Sequence, residues 1–327
     1  MAHDLFIEDG QASMFYIGGP PWHGLGTRLS EPATAEQAIQ AARLDWEVVK
    51  KPIYAVGDTV AHPLENKYAV VPAKPLVFGI VGQDYTPLQN REAFQFFDPI
   101  VGEGAAVYHT AGALGKGERV WILAKLQADI QVVDGDITHK YLLLSNSHAG
   151  DGCVQIKFTP VRVVCQNTLN LALSKGPVIR VSHVRDLKER LGYARENLGI
   201  IHSGYAAIET AFKLLASIEV DDKRLSEYLK RVFPDPRLSE NKSVWERVIR
   251  TRKGAADMFE HGRGNQLKGV AGTLWAAYNC VAELIDHGKT RRTPDQRLNH
   301  IWFGDGAGVK ARAFNQACEY IEPQDRP

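Results

Sequence analysis

Cysteine is scarce in this chain: Cys153, Cys165, Cys280 and Cys318 are the only four, and no two of them form a CxxC pair. Four separated thiols cannot staple 327 residues, so they read as small buried hydrophobes and not as a metal or redox centre. Long apolar runs are missing as well. None approaches the roughly 20 residues a membrane span needs, and the opening MAHDLFIEDG has no apolar signal core, so the expectation is a cytoplasmic protein with no membrane partner. Signatures of catalysis are also lacking. None of the 11 histidines recurs as HxH or HxxxH. GALGKGE falls between strand candidates and lacks the GxxxxGK[ST] spacing of a phosphate-binding loop. No cofactor and no metal are expected, and the reading leans away from an enzyme.

Hydrophobic residues at 44% and charged residues at 24% are ordinary globular values and argue against disorder. The net charge of +1 conceals a split. From Asp151 onward, 28 Lys and Arg stand against 21 Asp and Glu, a balance of +7; the first 150 residues hold 11 against 17, or −6. Such a split suits a basic surface for a polyanion or attraction between subunits, and it also suits helices with solvated basic faces.

The pattern predicts an α+β fold, with an α+β core over residues 1–182 that opens on a loop segment, and a helical region over 183–327. The first residues to about Gly26, with GGPPWHGLG, read as a loop anchored by Trp22. A helix follows from Thr34 to about Ala42, with Thr34 and Gln37 spaced as a capping box. Short alternating runs between Trp46 and Val81 signal strands. A helix is expected between Asn90 and Gly102. Then comes a meander: Ala105–His109, Arg119–Leu126, and Lys140–Ser145 paired with Val154–Val164 across SHAGDG. CQNTLNLALSK reads as a helix closing that sheet.

Apolar residues then recur in steps of three and four without a break, from Val184 through Leu187, Leu191, Ala194, Leu198, Ile201, Tyr205, Ile208 and Phe212 to Leu215. The repeat predicts one long helix whose stripe is covered by later helices or by a second subunit. Further helices are expected over Ser243–Glu260, Asn265–His287 and Val309–Tyr320.

Alternation along the strand from Arg119 puts Arg119, Trp121, Leu123 and Lys125 on one face. Lys116 precedes that strand; Lys157 and Arg162 belong to a later one. Cations for phosphates and a ring for bases are what single-stranded nucleic acid asks of a sheet face, although Trp121 packing under a helix fits equally. The helical half adds Arg247, Arg250, Arg252, Lys253, Arg263 and Lys268, then Lys289, Arg291 and Arg292. FGDGAGVK opens a helix, so its amides can hold a phosphate near Lys310 and Arg312, or form a plain tight turn. His23 and His300 sit beside Trp and Gly in loops, where a structural histidine or a catalytic base is open.

PWHGLGT, LDWEVVKKPIY, VRVVCQNTLNLAL, GTLWAAYNCVAELIDH and HIWFGDGAGVKARAF together resemble the phage/plasmid-like family catalogued as domain of unknown function 932, over nearly the whole chain. The resemblance implies a phage, prophage or plasmid setting and carries no catalytic residues. The order of strand, helix, meander and closing helix between Leu76 and Lys175 is also similar, at the level of fold, to single-strand annealing recombinases. The function expected is a non-enzymatic, self-assembling protein that binds or anneals single-stranded DNA in recombination or replication. Two alternatives stand beside it: a structural or regulatory protein-interaction protein of a mobile element, and an enzyme with a histidine-based site.

Overall fold

The structure, a computed structural model, describes residues 5–18, 24–57, 60–99, 104, 106–162, 167–168, 178–196, 199–288, 300–301 and 304–321. The fold is α+β and divides into two compact units. Unit 1 takes Met1–Gln127, Tyr141–Phe158 and Val178–Gly199; unit 2 takes Ala128–Lys140, Thr159–Pro177 and Ile200–Pro327. The chain enters each unit more than once, so no single cut separates them.

Unit 1 is built on a seven-stranded sheet whose centre is the expected meander. Strands β8 (Ala106–Leu114), β9 (Arg119–Leu126), β12 (Tyr141–Ser147) and β13 (Val154–Phe158) run antiparallel, with β16 (Val178–Val181) beyond β13. At the other side β3 (Met14–Ile17) pairs with β8, and β4 (Thr27–Leu29) runs parallel to β3. The GALGKGE stretch is the β8–β9 turn, closing Leu114 onto Arg119. Helix α1 (Ala35–Ala41) starts as expected: Thr34 Oγ1 accepts from Gln37 N–H at 3.2 Å and Gln37 Oε1 accepts from Thr34 N–H at 3.0 Å. Helix α2 (Asn90–Gln95) is shorter than expected.

The opening residues are strands, not a loop. β1 (Ile7–Glu8) and β2 (Gln11–Ala12) form a hairpin across Asp9 and Gly10, whose φ values of 49° and 74° are what an Asp-Gly hairpin turn requires. Trp22 lies outside the described residues.

A separate three-stranded sheet, β5 (Val48–Val56), β6 (Ala61–Pro72) and β7 (Gly79–Gly82), packs Val48, Val70, Phe78 and Val81 into one small core. β7 meets the SHAGDG turn very closely. A Cβ at Gly79 would stand 1.9 Å from the Ala149 carbonyl oxygen, and backbone cannot yield as a side chain can. Gly79→Ala is therefore expected to lower stability by roughly 1–3 kcal/mol in chemical denaturation, the usual cost of overpacking.

Beside that turn lies a buried polar node. His148 is fully buried, stacks on Phe78 and tilts against Trp46. Asn90 Nδ2 donates to Leu44 O at 2.9 Å, so its Oδ1, 3.1 Å from His148 Nε2, is the acceptor, and His148 carries its proton on Nε2. His148 Nδ1 is then a buried lone pair with no partner among the described residues. Burial first, and then the neighbouring His183, hold the His148 pKa down at about 3.

Unit 2 combines a small antiparallel sheet with helices. The sheet runs β10 (Ile130–Val133), β11 (Asp136–His139), β14 (Val161–Arg162) and β15 (Asn167–Thr168). The strand expected over Val154–Val164 is thus two strands. They part at Thr159 and Pro160, and proline has no N–H for a ladder. Of the helix expected over CQNTLNLALSK, only Asn167 and Thr168 are among the described residues, and they are strand.

The long stripe is likewise two helices, α3 (Leu187–Glu196) and α4 (Gly199–Ser217), with Val184 in the turn before the first. Leu187 and Leu191 are buried where α3 meets β16, in unit 1. Tyr205, Ile208, Phe212 and Leu215 are buried in unit 2. The described part of the stripe is therefore covered within the chain.

Helix α5 (Asp222–Val232) was not expected, although Asp221 caps it and Leu225, Tyr228, Leu229 and Val232 form its buried face. Helices α6 (Lys242–His261), α7 (Leu274–His287) and α8 (Asp305–Cys318) follow. α7 starts nine residues later than expected because Gly264, Gly269 and Gly272 take φ of 74°, 82° and 73°, a left-handed backbone that no helix continues. Thr273 then caps it, accepting from Ala276 N–H. α7 is the hub of unit 2: Trp275 and Tyr278 join Phe212 and Phe314 in an aromatic core, and Trp275 Nε1 donates to the buried Asp136 Oδ2 at 2.7 Å. Among the described residues no helix is long and apolar enough to cross a membrane.

Candidate nucleic-acid interface

The expected sheet-face groove does not form. Trp121 is 0% exposed, and Leu123 beside it is buried, so no ring is presented to bases from β9. This corrects the stacking role: β9 lies in the middle of the seven-stranded sheet, where both faces are covered. Arg119 and Lys125 sit at opposite ends of the strand. Arg119 lies 3.6 Å from Asp151, and Lys125 and Lys157 each hold interactions within the fold. Lys116 is exposed in the turn before β9. Arg162 falls on β14 of unit 2, opposite Thr138.

The helix-start phosphate site also fails. Lys310 is 0% exposed, with Nζ 2.6 Å from the buried Asp286 Oδ1, and so is not available to a polyanion. Burial lowers its pKa, and the Asp286 carboxylate opposes that shift. The Gly306 amide in the first turn of α8 already donates to His300 Nδ1 at 3.1 Å, which gives His300 a capping role. His23 lies outside the described residues.

Two further arginines are structural. Arg252 Nη1 lies 2.7 Å from Asp235 Oδ1 while its Nε donates to Phe233 O at 2.9 Å, and Arg312 Nε donates to Val232 O at 2.8 Å. Both guanidiniums close the C-terminal end of α5, where carbonyls are left without helical partners.

What remains gathers on α6. Asn241 caps this helix, its Oδ1 accepting from Val244 N–H at 3.2 Å. Arg247, Arg250 and Lys253 follow in steps of three, all exposed and without an ion pair among the described residues. Lys268 is exposed beyond the end of the helix, and Arg263 there is exposed but engaged.

Arg247 and Arg250 line an open cavity of about 700 Å³ between α6 and the end of α7, with Ser243, Thr251, Leu284, Ile285 and Gly288. The Ser243 hydroxyl donates to Asn241 and that of Thr251 to Arg247 O, which leaves the guanidiniums as the cavity's uncommitted donors among the described residues. Leu284 and Ile285 are half-buried and supply an apolar wall. Two guanidiniums beside such a wall can hold an anionic group and an apolar ring or sugar together.

Sequence reasoning missed Ser243, Thr251, Leu284 and Ile285. Ser243, Arg247, Arg250 and Thr251 recur at helical spacing, a signal that collects them on one side of α6. Nothing local could add Leu284 and Ile285, which arrive by packing. Lys289, Arg291 and Arg292 follow Gly288 directly in the chain and lie outside the described residues.

Fold and site together define a two-unit α+β protein with a basic helical face and, among the described residues, no cluster of three or more metal-ligating side chains. The chain belongs to the family described as Domain of unknown function (DUF932), whose profile matches residues 77–302. No curated protein matches the chain. No solved structure matches it either.

Proposed function

We propose that the protein binds nucleic acid, single-stranded DNA of a phage or plasmid-type element in particular, through the basic side of α6. One observation carries the reading: Arg247 and Arg250, exposed and with no ion pair among the described residues, line a cavity of about 700 Å³ that also has an apolar wall at Leu284 and Ile285. Guanidiniums take phosphates, and each phosphate neutralised releases counterions. The apolar wall favours a single strand, because a duplex keeps its bases stacked inside while a free strand can lay one against Leu284 and Ile285. Lys253 extends the track along α6.

The test is fluorescence anisotropy of a labelled single-stranded oligonucleotide. Binding is expected at about 50 mM salt, weakening by at least tenfold at about 200 mM, and with lower affinity for a duplex of the same length. An absence of binding at the lower salt would overturn the reading.

A further inference from the structure

The cavity beside α6 is closed at one end. Helix α6 meets α7 at Gly254, where an added Cβ would lie 3.5 Å from Leu284 Cδ1, an ordinary packing contact. Ser243, Arg247, Arg250 and Thr251 all precede Gly254 on α6, while Ile285 and Gly288 follow Leu284 at the end of α7. The cleft therefore has its closed end at Gly254 and its mouth toward Ser243 and Gly288. A strand laid along it is stopped at Gly254, so what enters lengthwise is an end. The volume of about 700 Å³ falls in the range of roughly 300–1,000 Å³ that single small ligands occupy. That is room for the last unit of a polymer and not for a run of it.

Charge narrows which end. Arg247 and Arg250 stand three residues apart on α6, a spacing that makes them neighbours on the helix surface, and both are exposed with no ion pair among the described residues. Inside a strand each phosphate is a diester with a single charge. At a phosphorylated end it is a monoester, with about −1.5 to −2 charge at pH 7 and three strong acceptor oxygens. A guanidinium fork grips an anion through two parallel N–H bonds, so two forks are better matched by the monoester than by any diester. We propose that this cavity takes the phosphorylated end of a nucleic-acid strand, with the terminal phosphate held by Arg247 and Arg250 and the last sugar or base laid on Leu284 and Ile285. The proposal rests on the reading of α6 as a nucleic-acid site and adds which part of the strand it holds.

Fluorescence anisotropy on the full chain at constant salt tests this, with one single-stranded oligonucleotide labelled internally so that both ends stay free. It is prepared with hydroxyls at both ends, with a 5′-phosphate, with a 3′-phosphate, and with the preferred phosphate blocked as its methyl ester. One phosphorylated end should bind at least about tenfold more tightly than the hydroxyl strand, the worth of one added charge-assisted hydrogen bond. The methyl ester keeps the size and removes a charge, and it should lose most of that gain. Arg247→Lys with Arg250→Lys keeps both charges and removes both forks. That variant should still bind the hydroxyl strand with the same salt dependence and show no preference for a phosphorylated end. Equal affinity for all four strands overturns the proposal and leaves the nucleic-acid reading in place, and so does a preference that survives the two lysine substitutions. An absence of binding to every strand overturns both.

Discussion

Lys310→Met is expected to destabilise the protein by about 3–5 kcal/mol, read as a lowered midpoint in urea. The ammonium is fully buried, its Nζ 2.6 Å from Asp286 Oδ1, and the carboxylate is itself 4% exposed. Methionine fills the same volume, so the loss measures charge and not a cavity. With its counter-ion gone, the Asp286 carboxylate is left buried in the helical core. Adding Asp286→Leu should recover a large part of the loss, because removing both charges lifts the penalty of desolvating either. A single substitution costing under about 1 kcal/mol would mean that Asp286 is solvated in a way this structure does not contain.

Acidification from about pH 7.5 to about pH 5 is expected to remove about 2 kcal/mol of stability through His148 alone. Its folded-state pKa of about 3 lies below the ordinary value of 6.5, so in the window between them the unfolded chain takes up a proton that the folded chain refuses. Stability is therefore complete above about pH 7 and falls as pH drops toward 3. Protonation would have to occur at Nδ1, which has no partner among the described residues, while Nε2 stays bound to Asn90. His183 adds in the same direction, its pKa lowered by burial against the hydrogen bond to Thr86 O. Glu36 and Asp186, whose carboxyls are held below their usual range by Arg91 and Arg190, titrate beneath this window. Urea midpoints at the two pH values give the slope for the wild type, and His148→Gln should flatten it.

Local chemistry was the legible part of this sequence. The Thr34 and Gln37 capping box, the GALGKGE turn, the meander strands and the span of α6 all depend on neighbours along the chain, and a sequence displays those. α5 was equally displayed, in Asp221 and the spacing of Leu225, Tyr228, Leu229 and Val232, and it went unread. What resisted reading was which surface is exposed. Arg119, Trp121 and Lys125 alternate as an open strand would, yet β9 lies between β8 and β12 with both faces covered. Arg252 and Arg312 resemble any other basic residues until the end of α5 is placed beside them. A continuous apolar stripe from Val184 to Leu215 conceals a division between two units, since the same period serves two separate cores. The site on α6 was half legible: Arg250 and Lys253 are visible as cations, and their freedom from ion pairs is visible only in three dimensions.

The most direct test of nucleic-acid binding on α6 compares the salt dependence of oligonucleotide affinity in the wild type and in Arg247→Glu with Arg250→Glu. Each phosphate contact on a single strand contributes roughly −0.7 to the slope of log affinity against log salt. Loss of two contacts should make the slope shallower by about 1.4 and lower affinity at low salt by at least tenfold. An unchanged slope with unchanged affinity would contradict the account and move any binding away from this helix.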